Sequence, residues 1–96
     1  MNKNTILKKL EDVRAGVREK YKADIKGIFG SYAIGKEKRG SDIDILVDFY
    51  NEADFLDLVG LALFLEKKLN HKVDVVPKGS IRKELKTAIL KQAIYL

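Results

Sequence analysis

The sequence predicts a small α/β domain of the α+β kind, with a mixed three-stranded sheet and helices packed on it. Three observations predict this class. Residues Ser41 to Phe49 alternate polar and apolar side chains, as a half-buried strand does. Two further short apolar runs end at turn residues, Ile25 to Phe29 at Gly30-Ser31 and Lys72 to Val76 at Pro77. Around these runs, apolar residues recur at three- and four-residue spacing. The order is therefore helix, strand, strand, helix, strand, helix.

Each element has its own reason. Ile6, Leu10, Val13, Val17 and Tyr21 set a helix from about Asn4 to Tyr21, with Asn4 or Thr5 as its cap. Ile25 to Phe29 forms the first strand, and a short helical turn from Ser31 to Ile34 follows it. Gly35 to Gly40 is a charged loop. In the second strand Ile43, Ile45, Val47 and Phe49 share one face, opposite Asp42, Asp44, Leu46 and Asp48. Asp54 caps a helix that runs to about Leu69, where Asn70 and His71 break it. Lys72 to Val76 is the third strand. Ser80 caps the last helix, from about Ile81 to Ala93.

The 96 residues make one domain, 1–96. A chain this short buries a modest share of its surface, so a partner or self-association would help it. With 46% hydrophobic and 34% charged residues it is globular. It has no cysteine, which excludes a disulfide framework and a thiolate metal site. No run approaches the roughly 20 apolar residues of a membrane span, and Met1 to Thr5 lead straight into an amphipathic pattern. A cytoplasmic location is the expectation. The net charge of +5 favours a polyanion, either nucleic acid or a nucleoside triphosphate, without distinguishing the two.

Three acidic residues carry the chemistry. Asp42 and Asp44 leave the same strand face with Cα atoms about 6.5–7 Å apart. Carboxylates this close repel unless a cation sits between them. Asp74, on the next strand, faces away from Val73 and Val75 and so can reach the same face. Aspartates on adjacent strands suit two hard cations that clamp the attacking and leaving oxygens of a phosphoryl displacement. Aspartate is depleted in strands, which counts against a decorative role for the pair, whereas Asp48 merely continues the alternation. Ahead of them, Gly30-Ser31 ends one strand and opens a helical turn, where a phosphate can approach the backbone. A Gly-Ser pair alone is an ordinary turn, and the signal lies in its combination with the aspartates.

Gly30-Ser31, ten residues, Asp42-Ile43-Asp44 and a later strand acid at Asp74 resemble the nucleotidyltransferase superfamily that includes DNA polymerase beta and kanamycin nucleotidyltransferase. The nearest branch is its minimal, or MNT, domain. The family pattern is G-S-x(9–13)-D-x-D with a third acid on a later strand, and the resemblance extends to the C-terminal Ile89 to Leu96. It implies a nucleotidyltransferase-like fold, metal at Asp42, Asp44 and Asp74, and a role for Asp74 in deprotonating the acceptor hydroxyl. It implies Mg²⁺, two ions, with ATP as substrate and pyrophosphate as leaving group. Gly30 and Ser31 would hold the triphosphate. Many relatives carry arginine where Ile34 stands, so either a basic contact to the phosphates is missing there or Lys36, Lys38 or Arg39 replaces it. Minimal members resemble antitoxins paired with HEPN-domain toxins, some of which receive AMP on a tyrosine. The competing reading is a non-catalytic antitoxin that neutralises its partner by covering it. A nucleic-acid ligand ranks last, since no aromatic platform stands out.

The helix after Asp54 bears Phe55, Leu56, Leu58, Val59, Leu61, Leu63, Phe64, Leu65 and Leu69, too many for one stripe. A homo- or hetero-oligomer contact is expected there. His71 has no ligand partner at usable spacing and reads as structural. Tyr32 and Tyr95 read as core or turn residues rather than base-stacking platforms.

Overall fold

The computed structural model describes all 96 residues. Its elements are α1 (Lys3–Tyr21), β1 (Ala23–Phe29), α2 (Gly30–Ala33), β2 (Ile43–Phe49), α3 (Phe55–Leu69), β3 (Val73–Pro77), a 3₁₀ turn at Lys78–Ser80, α4 (Lys83–Gln92) and β4 (Ile94–Tyr95). The sheet has four strands in the order β3-β2-β1-β4, one more than the sequence predicts. β1 runs antiparallel to β2 and β4, and β2 runs parallel to β3 through the α3 crossover. The mixed α/β class stands, and the correction is the C-terminal tail.

That tail is a strand because of Gly27. A Cβ at Gly27 would lie 2.0 Å from the Ile94 carbonyl oxygen and 2.9 Å from Tyr95 Cα, so only glycine lets the tail pair there. Gly27 pairs with Tyr95, and the Leu96 amide donates to the Lys26 carbonyl at 2.9 Å. Gly27→Ala is therefore expected to detach β4, at a cost of about 1–3 kcal/mol. Hydrogen exchange checks it: the Leu96 amide should lose its protection while the β1–β2 ladder keeps its own.

Ile6, Leu10 and Val17 of α1 and Leu61, Leu65 and Leu69 of α3 are buried against Ile25, Ile28, Ile43, Ile45 and Val47. Both long helices thus cover one face of the sheet. Alternation puts Asp44 on the other face. Asp24 fastens β1 to α1 by ion pairs with Arg18 at 2.9 Å and Arg14 at 3.5 Å, and pairs with Lys26 of its own strand at 3.2 Å. Burial alone would raise the Asp24 pKa, but the hydrogen bonds from Arg18 and Lys26 outweigh it and hold the carboxyl below its ordinary value.

Two caps differ from expectation. Asn2, not Asn4 or Thr5, caps α1, and its side chain accepts from the Thr5 amide at 3.0 Å. Ser80 does not cap α4. Its hydroxyl donates to the Pro77 carbonyl at 2.9 Å, closing the 3₁₀ turn, and α4 starts only at Lys83. Asp54 does cap α3, in a reciprocal box with Asp57. No helix is long and apolar enough to cross a membrane.

Candidate active site

Antiparallel pairing of β1 with β2 sets Phe29 opposite Asp44. The chain then turns at Gly30, with φ +71, into α2. This brings the glycine-serine turn onto the aspartate strand. A Cβ at Gly30 would lie 2.0 Å from Asp44 Oδ2 and 3.0 Å from its Cγ, so the carboxylate occupies the space that any other residue's side chain would need. Glycine is required twice at this position, for the left-handed backbone and for the carboxylate.

On the other side of β2, parallel pairing makes Asp74 the register partner of Asp44. Asp42 stands two residues before Asp44, just ahead of the strand. Asp44 is half-buried, while Asp42 and Asp74 are exposed. Burial pushes the Asp44 pKa up to about 6, and the charges of Asp74 and Asp42 push in the same direction. The three carboxylates therefore share one field, with Asp44 at its centre. No group of three acidic or histidine side chains lies close enough together in this structure to hold a metal ion. This still suits Mg²⁺, which takes one or two carboxylates and fills its remaining positions with water and substrate phosphate. An all-oxygen donor set held together against its own repulsion is chemistry that a hard cation relieves.

Two contacts position the glycine turn. The Gly30 amide donates to Gln92 Oε1 of α4 at 3.1 Å. Gln92 lies 62 residues away in sequence, and nothing in the local pattern marked it. Tyr32, a buried residue of α2, meets His71 Nε2 through its hydroxyl at 3.1 Å. His71 Nδ1 lies 2.9 Å from the Lys72 carbonyl, which can only accept. Nδ1 therefore carries a proton, and in the neutral ring Nε2 is the acceptor for the Tyr32 hydroxyl. The pair ties α2 to the segment entering β3, in agreement with structural roles for both residues. Tyr95 is exposed, and its hydroxyl donates to the Leu90 carbonyl at 2.8 Å.

Lys36, Lys38 and Arg39 are exposed in the loop between α2 and β2, and none makes an ion pair. The loop backbone is anchored at both ends. The Lys36 amide donates to the Ser31 carbonyl at 2.9 Å, and the Lys38 amide donates to Ser41 Oγ at 2.9 Å. Ser31 itself is half-buried at the mouth of the turn, and Ile34 is exposed. The one cavity of note, about 480 Å³, is lined by Lys9, Phe64, Lys67 and Lys68 and holds no carboxylate. The acidic site is an open sheet face rather than a pocket.

A glycine that is a glycine because the second aspartate of D-x-D lies on it, with a third acid in register beside it, joins the two halves of the pattern in space. The nucleotidyltransferase domain model matches residues 10–96. The chain belongs to the nucleotidyltransferase domain family. The protein adenylyltransferase MntA of Thermococcus cleftensis is 36% identical over 80 residues, 83% of this chain and 81% of its own. The structure of a minimal nucleotidyltransferase superposes with a TM-score of 0.85 at 32% identity, covering all of this chain and 97% of that one. A toxin-antitoxin crystal structure with AMP-PNP matches with a TM-score of 0.69 at 32% identity, over 99% of this chain and 72% of that chain. In this nucleotidyltransferase domain the Gly30-Ser31 turn and the Asp42–Asp44 segment lie in contact.

Proposed function

We propose that this nucleotidyltransferase moves AMP from ATP onto a protein hydroxyl in the cytoplasm, most specifically a tyrosine of a HEPN-domain toxin for which it is the antitoxin. The observation that carries the reading is the Asp44 carboxylate packed on Gly30 and in register with Asp74. The relatives named as a protein adenylyltransferase and a toxin-antitoxin pair support the substrate and the partner. The open acidic face fits a macromolecular acceptor, because a second protein can wall in the nucleotide that this chain leaves exposed.

In this reading Asp42, Asp44 and Asp74 would hold Mg²⁺, two ions once substrate phosphates complete the site, and the metal would supply charge neutralisation there. Gly30 and Ser31 receive the triphosphate, and Lys36, Lys38 and Arg39 reach it from their loop. Asp74 takes the proton of the acceptor hydroxyl. The hydroxyl oxygen bonds to the α-phosphorus of ATP, the bond to the bridging oxygen breaks, and pyrophosphate leaves.

The test is incubation of the chain with α-labelled ATP, Mg²⁺ and its candidate toxin. Label should appear on the toxin, and Tyr→Phe at the accepting tyrosine should remove it. Asp42→Asn and Asp74→Asn should each reduce the label by at least about 10²-fold. Neutralisation of the toxin that survives both substitutions, without label, would replace transfer by covering.

A further inference from the structure

Helix α3 is apolar on two faces. Leu61, Leu65 and Leu69 enter the core. Phe55, Leu56 and Leu63 stand 72%, 76% and 62% exposed, and Val59 is exposed between them. At about 100° per residue these four fall on one stripe about 100° wide. Scattered exposed apolar residues need no explanation, but a contiguous stripe marks an interaction surface.

The ends of the stripe carry opposite charge. Glu52 and Asp54 stand at the start of α3, and Lys67 and Lys68 lie in its last turn. Lys67 and Lys68 make no ion pair within the chain.

We infer that α3 docks against α3 of a second copy of this chain, antiparallel, about a two-fold axis near Val59. Val59 then meets its own equivalent, and Phe55 of each copy lies against Leu63 of the other. Lys67 lies at the edge of the stripe, so Glu52 of one copy approaches Lys67 of the other, on both sides of the axis. Such reciprocity is what an isologous interface requires, and a parallel arrangement would set like charges together. The apolar stripe supplies the affinity, and the charged ends choose the direction. Ile43, Ile45 and Val47 face α1 and α3, so Asp44 points away from the proposed contact and both acidic sites remain open. The inference is independent of the reaction assigned to those sites.

Sedimentation equilibrium on the full chain, from about 1 to 100 μM, tests it. The mass should rise from 10.9 kDa to twice that value with concentration. Leu56→Lys and Leu63→Lys alter exposed positions and should leave the circular dichroism spectrum unchanged while weakening the dimer at least about tenfold. Glu52→Lys and Lys67→Glu should each weaken it, and the two together in one chain should restore it. A monomer throughout the range overturns the inference. So does a dimer indifferent to Leu56→Lys and Leu63→Lys, or a charge-swapped chain that stays as weak as its single variants.

Discussion

Asp44→Asn is expected to abolish nucleotidyl transfer, by at least about 10²–10³-fold, and at the same time to make the metal-free protein more stable at neutral pH. Both effects come from the same environment. Asp44 is half-buried, and Asp74 and Asp42 crowd it with negative charge. Its pKa rises from 3.8 in the unfolded chain to about 6 in the fold. The fold thus prefers the protonated acid. Its stability is fully present below pH 3.8 and is lost as the pH rises through about 6. After allowance for solvent screening at a partly exposed group, the loss is about 1–2 kcal/mol. Asparagine has no charge to lose, so it escapes this cost. Thermal melts in a chelator check the sign. The variant should melt several degrees above the wild type near pH 7.5, and the two curves should converge near pH 4. Added Mg²⁺ should then raise the wild type and leave the variant almost unmoved. A wild type that is the more stable protein near pH 7.5 without metal would show that the three carboxylates do not share a field.

Much of this site was legible because strands report themselves by a period of two. Ile43, Ile45 and Val47 placed the aspartates on the opposite face, and Val73 and Val75 did the same for Asp74. The glycine-serine turn was legible as a motif, but its reason was not. That Gly30 must be bare because Asp44 occupies its side-chain volume is a tertiary fact. The same holds for Gly27, whose neighbour is a strand 67 residues further along the chain. β4 itself is two residues long, too short to show any period. Gln92 and the Tyr32–His71 pair act across the fold, where sequence spacing carries no information. Helix α3 was legible in its excess of apolar residues and illegible in their division. Only packing shows that Leu61, Leu65 and Leu69 turn inward while Phe55, Leu56 and Leu63 do not. The caps of α1 and α4 moved by a few residues because Asn2 and Thr5, or Ser80 and its neighbours, offer similar chemistry and local context chooses between them.

Gly30→Ala should behave in activity like the loss of Asp44, although it removes no functional group. The new methyl would lie 2.0 Å from Asp44 Oδ2, a distance at which something must move. The backbone of Gly30 is held by β1 on one side and by α2 on the other. The carboxylate is the free end of a side chain, so it is Asp44 that turns away. The stability cost is then mainly that of a non-glycine residue at φ +71, about 1–2 kcal/mol, partly offset by separating Asp44 from Asp74. The activity cost is the whole contribution of the displaced carboxylate, about 10²-fold or more. A double-mutant cycle separates this account from general damage. If Gly30→Ala acts through Asp44, then adding it to Asp44→Asn should lower activity little further, because the group it displaces has already lost its charge. Multiplicative losses in the cycle, or near-native activity of a folded Gly30→Ala protein, would mean that the carboxylate does not need the space the glycine leaves.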